Sequence, residues 1–271
     1  MTAEPMTARS GRVKAARKLV RRAERAERGL FLAEGAKALA EALAGPGGVV
    51  EVFATESATE QYAALAQAVV DAGIGWQVAD DRALASLSGS VTPPGIVGVC
   101  RFLHLEPEQL LDAPGEQATL VVCVDVRDPG NAGTVIRTAD AVGATGVVLA
   151  GTSVDLYNDK TVRATVGSLW HVPVALAPDP AYVVRRARSA GLAVLAADGA
   201  GETDLFEAQR DGVLDGPVAW IFGNEAHGLP QELLALADHR VAIPIRGRAE
   251  SLNLAAAAAV CLYAGAQARR G

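Results

Sequence analysis

Residues 120–139 read LVVCVDVRDPGNAGTVIRTA, and this stretch shows the unit from which the larger part of the chain is built. It begins with an apolar run typical of a buried strand, passes through an Asp-Pro-Gly turn and continues with the apolar spacing of a helix. Further apolar runs occur at residues 146–150, 172–175, 193–197, 217–222 and 241–243, and helical patterns at 132–142, 160–169, 181–190, 229–237 and 252–268. Near-continuous apolar strands alternating with helices predict an α/β domain whose parallel sheet is covered on both faces.

The first hundred residues have their own organisation. A helical pattern covers residues 12–44, strands are predicted at 49–54, 74–78 and 96–102, and helices at 61–72 and 80–87. These elements predict a small α/β domain over residues 1–105. Residues 106–118 are rich in Glu, Pro, Gly and Gln and are the expected linker, which leaves residues 119–271 as the second domain.

Charge is distributed unevenly along the 271 residues, whose net charge is −6. Residues 9–28 contain nine basic and two acidic residues and so carry +7, which leaves −13 for the rest. A basic segment on an acidic body suits contact with RNA or DNA phosphates, because neutralised phosphates release counterions. A solvated helix with charge pairs such as Glu24–Arg28 remains the alternative. The candidate RNA contacts in this segment are Arg9, Arg12, Arg17, Lys18, Arg21 and Arg22.

Several functional classes lack their usual signals. The longest apolar run, residues 254–264, has eleven residues, whereas a membrane-spanning helix needs about 20. The first residues contain no apolar stretch of the kind found in secretion signals, so we expect a cytoplasmic protein that does not contact a membrane. The three cysteines are far apart and odd in number, which predicts neither a disulfide framework nor a metal site. Dinucleotide, nucleoside-triphosphate and nucleophile-elbow motifs are absent from the sequence.

Three of the predicted strands end in unusual polar residues. Ligands of parallel α/β sheets bind at the carboxyl ends of strands, so these positions are candidate site residues. After the first strand, Asn131 suits either a helix N-cap or a ligand contact, and Arg137 suits either an exposed helix position or a functional one. After the strand 217–222 comes GNEAHGL, residues 223–229, where Gly223 permits close backbone approach to a ligand.

Within that loop and after the last strand, each residue again has two interpretations. Glu225 is either a helix-start carboxylate or an anion positioned in a cleft, and His227 is interpreted as a loop residue without a catalytic part. Ser251 is either an N-cap or a site residue. Asn253 is a poor helix former at the start of a very apolar helix, and it needs hydrogen-bond partners if it is buried.

Taken together, the three segments resemble the motifs of the SpoU (TrmH-type) RNA ribose 2′-O-methyltransferases of the SPOUT superfamily. The matching patterns are N-x-G-x-x-x-R-T-A at residues 131–139, G-N-E-x-x-G-L at 223–229 and I-P-x-x-G-x-x-x-S-L-N at 243–253. The N-terminal part, through residues 28–35 and 92–97, resembles the substrate-binding domain of that family, whose fold is like that of ribosomal proteins that hold kinked RNA.

The resemblance implies S-adenosylmethionine as methyl donor, the 2′-hydroxyl of one ribose as acceptor, an obligate homodimer and a deep trefoil knot in the C-terminal domain. It places the donor against the backbone near Gly223, Ile243 and Leu252. It also implies the catalytic residues Arg137, Asn131, Glu225, Ser251 and Asn253. Arg163 is a further candidate for RNA contact. Ala226 departs from the pattern because glycine is usual there, and alanine costs about 1 kcal/mol if the position needs a positive φ.

The roles follow from the chemistry of the reaction. A ribose hydroxyl is a weak acid that must lose its proton as it attacks the methyl group, yet a guanidinium does not normally give up its own proton. We therefore expect Arg137 to align the neighbouring RNA phosphate and stabilise the developing charge. Because the N-terminal domain resembles that of ribosomal-RNA enzymes, the resemblance favours ribosomal RNA, 23S in particular, as the substrate. A transfer-RNA methyltransferase, a non-catalytic RNA-binding protein and a methyltransferase acting on another acceptor are the alternatives.

Overall fold

The computed structural model describes residues 4–112 and 114–269, so residues 1–3, Ala113 of the expected linker and residues 270–271 lie outside the described part. The chain forms two compact units. One comprises Met1–Leu103 together with Tyr157–His171, and the other comprises His104–Leu156 together with Val172–Gly271. In the described part, no helix has both the length and the apolar character needed to cross a lipid bilayer.

The secondary structure alternates throughout. The strands are β1 (Leu30–Glu34), β2 (Val49–Ala54), β3 (Gly75–Val78), β4 (Ile96–Arg101), β5 (Thr119–Val124), β6 (Gly146–Ala150), β7 (Val174–Ala177), β8 (Ala193–Ala197), β9 (Thr203–Asp204), β10 (Val218–Phe222) and β11 (His239–Ala242). The helices are α1 (Gly11–Lys18), α2 (Arg22–Arg28), α3 (Ala36–Ala44), α4 (Glu56–Gln61), α5 (Ala63–Asp71), α6 (Asp81–Ala85), α7 (Pro107–Leu111), α8 (Pro129–Ala141), α9 (Asp159–Thr165), α10 (Pro180–Ser189), α11 (Leu205–Arg210), α12 (Gln231–Leu234) and α13 (Leu254–Ala268).

The first unit is built on a four-stranded sheet with the order β1-β4-β2-β3. Strand β4 runs antiparallel to β1 and β2, whereas β2 and β3 are parallel. The segment 157–171 completes this unit with two aromatic side chains. The Tyr157 ring stacks on Phe102 at a centroid distance of 3.9 Å and lies 4.7 Å from Phe31, while Trp170 lies 6.1 Å from Phe31.

The prediction of one helical stretch over residues 12–44 is wrong. Gly29 ends α2 with a left-handed φ of 61°, and Gly35 has a φ of 94° just before α3. Between these two glycines, the apolar residues of β1 pair with β4 across the sheet. Glycine reaches positive φ without the steric cost that other residues meet, so this pair of positions is the sequence signal for the interruption.

The second unit contains a seven-stranded sheet with the order β7-β6-β5-β10-β8-β11-β9. All six strand pairs are parallel, and every residue of β5, β6 and β10 is buried. The predicted α/β fold with a parallel sheet covered on both faces is therefore confirmed. Strand β9 and helix α11 were not predicted, and α13 packs against α8 beside this sheet.

Candidate active site

Two neighbouring cavities lie at the carboxyl ends of the central strands of the second unit. The first has a volume of about 570 Å³ and is lined by the loops after β8, β10 and β11 and by the start of α13. Cavities of roughly 300–1,000 Å³ suit drug-sized ligands. Gly223, Ile243 and Leu252, the three residues predicted to hold the methyl donor, all line this cavity. We call it the donor cavity.

The second cavity has a volume of about 830 Å³ and lies against the segment after β5. Four of the five predicted catalytic residues line this second cavity: Asn131, Glu225, Ser251 and Asn253. We call it the acceptor cavity. The two cavities have six lining residues in common: Asn224, Glu225, Ala226, Ser251, Leu252 and Leu254. Groups bound in the two cavities are therefore next to each other.

A chain of hydrogen bonds joins the three motif segments. Glu225 Oε1 accepts from Asn131 Nδ2 at 3.1 Å and from the backbone N–H of Asp128 at 3.3 Å, and Oε2 accepts from the backbone N–H of Arg127 at 3.3 Å. Asn131 Oδ1 in turn accepts from Asn253 Nδ2 at 3.0 Å. Segments that are distant in sequence thus hold one another in place around the acceptor cavity.

Both helix caps differ from the predictions. Asp128, not Asn131, caps α8, because its Oδ1 accepts the backbone N–H of Asn131 at 2.7 Å and Pro129 follows at the first helical position. Asn253, not Ser251, caps α13, with Oδ1 accepting the backbone N–H of Ala255 at 2.9 Å. Asn131 therefore does not cap the helix, and both its Nδ2 and its Oδ1 take part in the chain of hydrogen bonds. An Asp followed by Pro is a recognisable helix start that could have identified the α8 cap.

Glu225 is held as a carboxylate. Burial by itself would raise its pKa, but the hydrogen bonds from Asn131 and from the backbone N–H groups of Arg127 and Asp128 outweigh it and lower the pKa below the ordinary value. The ionised form is the one that accepts all three hydrogen bonds. Glu225 therefore positions its neighbours as an anion.

Arg137 is the predicted catalytic residue that the structure keeps apart from the others. It lies on the exposed side of α8, lines neither cavity and has no hydrogen-bond or ion-pair partner in the part of the chain described. Its guanidinium is free to bind an external anion.

Two residues that support the acceptor cavity were not predicted from the sequence. Asp125, at the end of β5, has a φ of 53°, which is uncommon for a residue with a side chain. Its Oδ1 accepts from the backbone N–H and the hydroxyl of Thr152 at 2.7 and 2.8 Å. Asn224 Nδ2 donates to the Asp125 carbonyl at 2.7 Å. Asn224 could have been identified from its position in the motif GNEAHGL. No sequence pattern could have predicted the left-handed backbone of Asp125.

Close backbone approach explains the glycines of the loop that follows β10. A Cβ on Gly223 would collide with the carbonyl group of Gly228, so only glycine fits there. Gly228 has a φ of 65°, whereas Ala226 is not in the left-handed region. The cost considered for alanine at position 226 therefore does not arise.

The predicted RNA-contact residues fall into two groups. Arg9, Arg12, Arg17, Lys18, Arg21 and Arg22 are all exposed on or beside α1 and α2. Arg12 forms an ion pair with Glu51 at 3.0 Å. Arg163 is less exposed, and its NH1 binds both Glu34 at 3.0 Å and Asp159 at 2.9 Å. Arg163 is thus already engaged within the first unit.

Comparison with known proteins agrees with this geometry. The SpoU rRNA Methylase family matches residues 118–263, and the MRM3-like substrate binding domain matches residues 11–98. The chain is 33% identical over 261 residues to the 23S rRNA (guanosine(2553)-2'-O)-methyltransferase RlmP of Bacillus subtilis, covering 95% of this chain and 96% of the relative.

Solved structures give the same result. The AdoMet-bound rRNA methyltransferase from Sinorhizobium meliloti superposes with a TM-score of 0.85 at 33% identity, covering 97% of both chains. The SpoU methyltransferase AviRb from Streptomyces viridochromogenes, also in complex with AdoMet, gives a TM-score of 0.84 at 28% identity, covering 96% of this chain and 99% of that one. The chain belongs to the SpoU rRNA methylase family.

Proposed function

We propose that this protein transfers the methyl group of S-adenosylmethionine to the 2′-hydroxyl of a ribose in structured RNA, with 23S ribosomal RNA as the substrate. The observation that carries the proposal is that the donor and acceptor cavities adjoin and have six lining residues in common. Methyl transfer needs donor and acceptor in contact and in line, and holding them so can supply several kcal/mol of the acceleration. The relative RlmP is named for the same reaction on 23S rRNA.

The residues of the donor cavity fit S-adenosylmethionine. Ile245 and Leu252 line this cavity with exposed apolar side chains, which suit the flat base of the methyl donor. Backbone groups near Gly223 and Ile243 can hydrogen-bond to the polar edge of that base. The carboxylates of Glu225 and Glu250 line the same cavity and suit a ligand with a positive sulfur. When bound, this cofactor supplies an electrophilic methyl group.

The other site residues then have separate parts. Asn131, Ser251 and Asn253 orient the ribose in the acceptor cavity, and Glu225 holds Asn131 and the turn before α8. Arg137 binds the RNA phosphate beside the reacting ribose and stabilises the charge that develops on the 2′-oxygen. Its exposure and its lack of a partner within the described residues support this role.

Residues 1–105 are the proposed RNA-binding domain and residues 119–271 the proposed transfer domain, joined by 106–118; within the second of these, residues 157–171 belong to the first compact unit. The exposed basic residues of α1 and α2 are the proposed phosphate contacts. Arg163 contributes less directly, since its NH1 is engaged with Glu34 and Asp159. The proposed compartment is the cytoplasm, which suits three free and buried cysteines.

We further propose that the protein is a homodimer. Helix α13 is apolar all round, yet Ala256, Val260 and Tyr263 are not buried in the single chain. A helix that is apolar on every side is expected to be covered. Tyr263, 55% exposed, lines a cavity with Phe206, which is 44% exposed. If a second copy covers this face, sedimentation should give a dimeric mass for the wild-type protein and a monomeric mass for Tyr263→Glu. A monomeric mass for the wild-type protein would refute the proposal.

The substrate is tested by offering labelled S-adenosylmethionine with naked ribosomal RNA, transfer RNA or assembled ribosomal particles. We expect label in 23S RNA from one of the two ribosomal samples. Label confined to transfer RNA makes the transfer-RNA alternative correct. Donor binding without label in any RNA indicates another acceptor, and RNA binding without donor binding indicates a non-catalytic protein.

A further inference from the structure

His227 lies in the acceptor cavity, although its sequence position alone assigned it no function. It lines this cavity together with Asn131, Ser251 and Asn253. The loop that carries it is closed on itself, because Asn224 N–H donates to the Gly228 carbonyl at 3.1 Å and Gly228 N–H donates to the Asn224 carbonyl at 2.8 Å. The imidazole is thus exposed to the cavity from a fixed loop.

The hydrogen bonds of Asn224 determine which imidazole nitrogen carries the proton. Asn224 Nδ2 donates to the Asp125 carbonyl at 2.7 Å, and Oδ1 accepts from the backbone N–H of Ala226 at 2.9 Å, so the amide cannot be turned round. The same Oδ1 lies 3.3 Å from His227 Nδ1. Two acceptors would repel each other, so Nδ1 carries the hydrogen in the neutral ring. The lone pair is then on Nε2, which has no partner within the described residues.

The other charged groups of the acceptor cavity are already occupied. Arg127 is a cation that donates to Thr152, and Asp128 caps α8. Both oxygens of Glu225 accept hydrogen bonds, and its lowered pKa makes it a weak base. Imidazole is the side chain that most often serves as a general base, because its neutral form is well populated near neutral pH.

We propose that Nε2 of His227 accepts the proton of the ribose 2′-hydroxyl during methyl transfer. As the 2′-oxygen bonds to the methyl carbon, the carbon–sulfur bond breaks and its electron pair stays on sulfur, which becomes a neutral thioether. The hydroxyl proton moves to Nε2. The resulting imidazolium keeps its Nδ1–H bond to Asn224 and releases the proton to water. This assignment rests on the proposed function and adds the proton acceptor that Arg137 cannot provide.

The test compares the full-length protein with His227→Gln in single-turnover transfer from pH 5.5 to 9. We expect the variant to react 10²- to 10⁴-fold more slowly and to lose the pH dependence that a general base gives to the wild-type rate. Donor and RNA affinities should stay within twofold. His171→Gln makes the same chemical change at an exposed position of the first unit and should react like wild type.

A second readout does not depend on turnover. Nitrogen-15 NMR of the protein without donor or RNA should show the His227 ring with hydrogen on Nδ1, and hydrogen on Nε2 alone would overturn the proposal. An unchanged rate and pH profile in His227→Gln, or a loss confined to RNA affinity, would also overturn it. If the wild type methylates no ribose at all, it is the proposed function that fails, and the NMR result still decides the tautomer.

Discussion

Asn253 Nδ2 donates a hydrogen bond to Asn131 Oδ1 at 3.0 Å, although the two residues are 122 positions apart in the chain. At the same time Asn253 Oδ1 caps helix α13. One side chain therefore starts the last helix and orients the residue that faces the acceptor cavity. Capping and positioning can be separated experimentally, because they use different atoms of the amide.

Asn253→Asp keeps the capping oxygen and removes the donor to Asn131. Aspartate and asparagine cap helices about equally well. The new carboxylate oxygen faces Asn131 Oδ1, so the free energy of unfolding should fall by about 1 kcal/mol for the lost hydrogen bond while methyl transfer falls at least tenfold. Asn253→Ala also removes the cap and should cost about 1 kcal/mol more. Urea unfolding and a transfer assay check the pair. Wild-type transfer by Asn253→Asp would show that the bond to Asn131 has no role.

The difference in the free energy of unfolding between wild type and Glu225→Gln should depend on pH in a defined direction. The pKa of Glu225 is lowered in the folded state, so its contribution to the free energy of unfolding is present above the ordinary carboxyl pKa and is lost as pH falls through the folded-state value. The difference between wild type and variant should be largest at neutral pH and disappear on acidification. Glu116→Gln, at an exposed loop position, is the control. A difference that grows towards acid pH would contradict the assignment.

The loop after β10 offers a matched pair of substitutions. Gly228→Ala places a side chain at a φ of 65° with open space around the new Cβ, so strain alone should destabilise the protein by about 1–2 kcal/mol and weaken donor binding. Ala226→Gly should also destabilise the protein, by up to about 1 kcal/mol, since glycine gains freedom in the unfolded chain. Thermal unfolding checks both. A stabilised Ala226→Gly would mean that the position prefers positive φ after all.

The exposed basic residues of α1 should make RNA affinity depend on salt concentration. Arg17→Glu with Lys18→Glu should weaken RNA binding and lower the slope of log affinity against log salt by about one for each RNA phosphate that is no longer neutralised. Donor binding should not change. Arg185→Glu with Arg210→Glu reverses the same charge at exposed positions of the second unit and is the control. Equal effects of the two double variants would show a general charge effect rather than docking at α1.

Much of the fold was predictable, because the strands of the parallel sheet are continuous apolar runs. Such runs are typical of strands that are buried on both faces. The short pair β9 and α11 escaped prediction, since the two residues of β9 are too few to show a period. Strand β1 was hidden inside a helical pattern and was marked only by Gly29 and Gly35. The strand order was not predictable, because it depends on contacts between residues distant in sequence. The trefoil knot is a prediction from the family resemblance alone, because general folding rules disfavour knots.

The motif residues of the site were predictable, but their interactions were not. Asn131, Glu225 and Asn253 stand out at strand ends, yet nothing in the sequence says that they bond to one another. The left-handed Asp125 and the tautomer of His227 follow only from three-dimensional contacts. The separation of Arg137 from both cavities was likewise invisible, because helical position alone does not say which face meets the site.

Ribose methylation is measured most simply by transfer of a labelled methyl group to RNA, followed by digestion to nucleosides and identification of the labelled product. Wild type and Arg137→Ala are compared at equal donor occupancy. We predict one 2′-O-methylated nucleoside from a single position in 23S RNA, with at least a hundredfold loss in the variant. Label on a base, or undiminished 2′-O-methylation by Arg137→Ala, would contradict this mechanism.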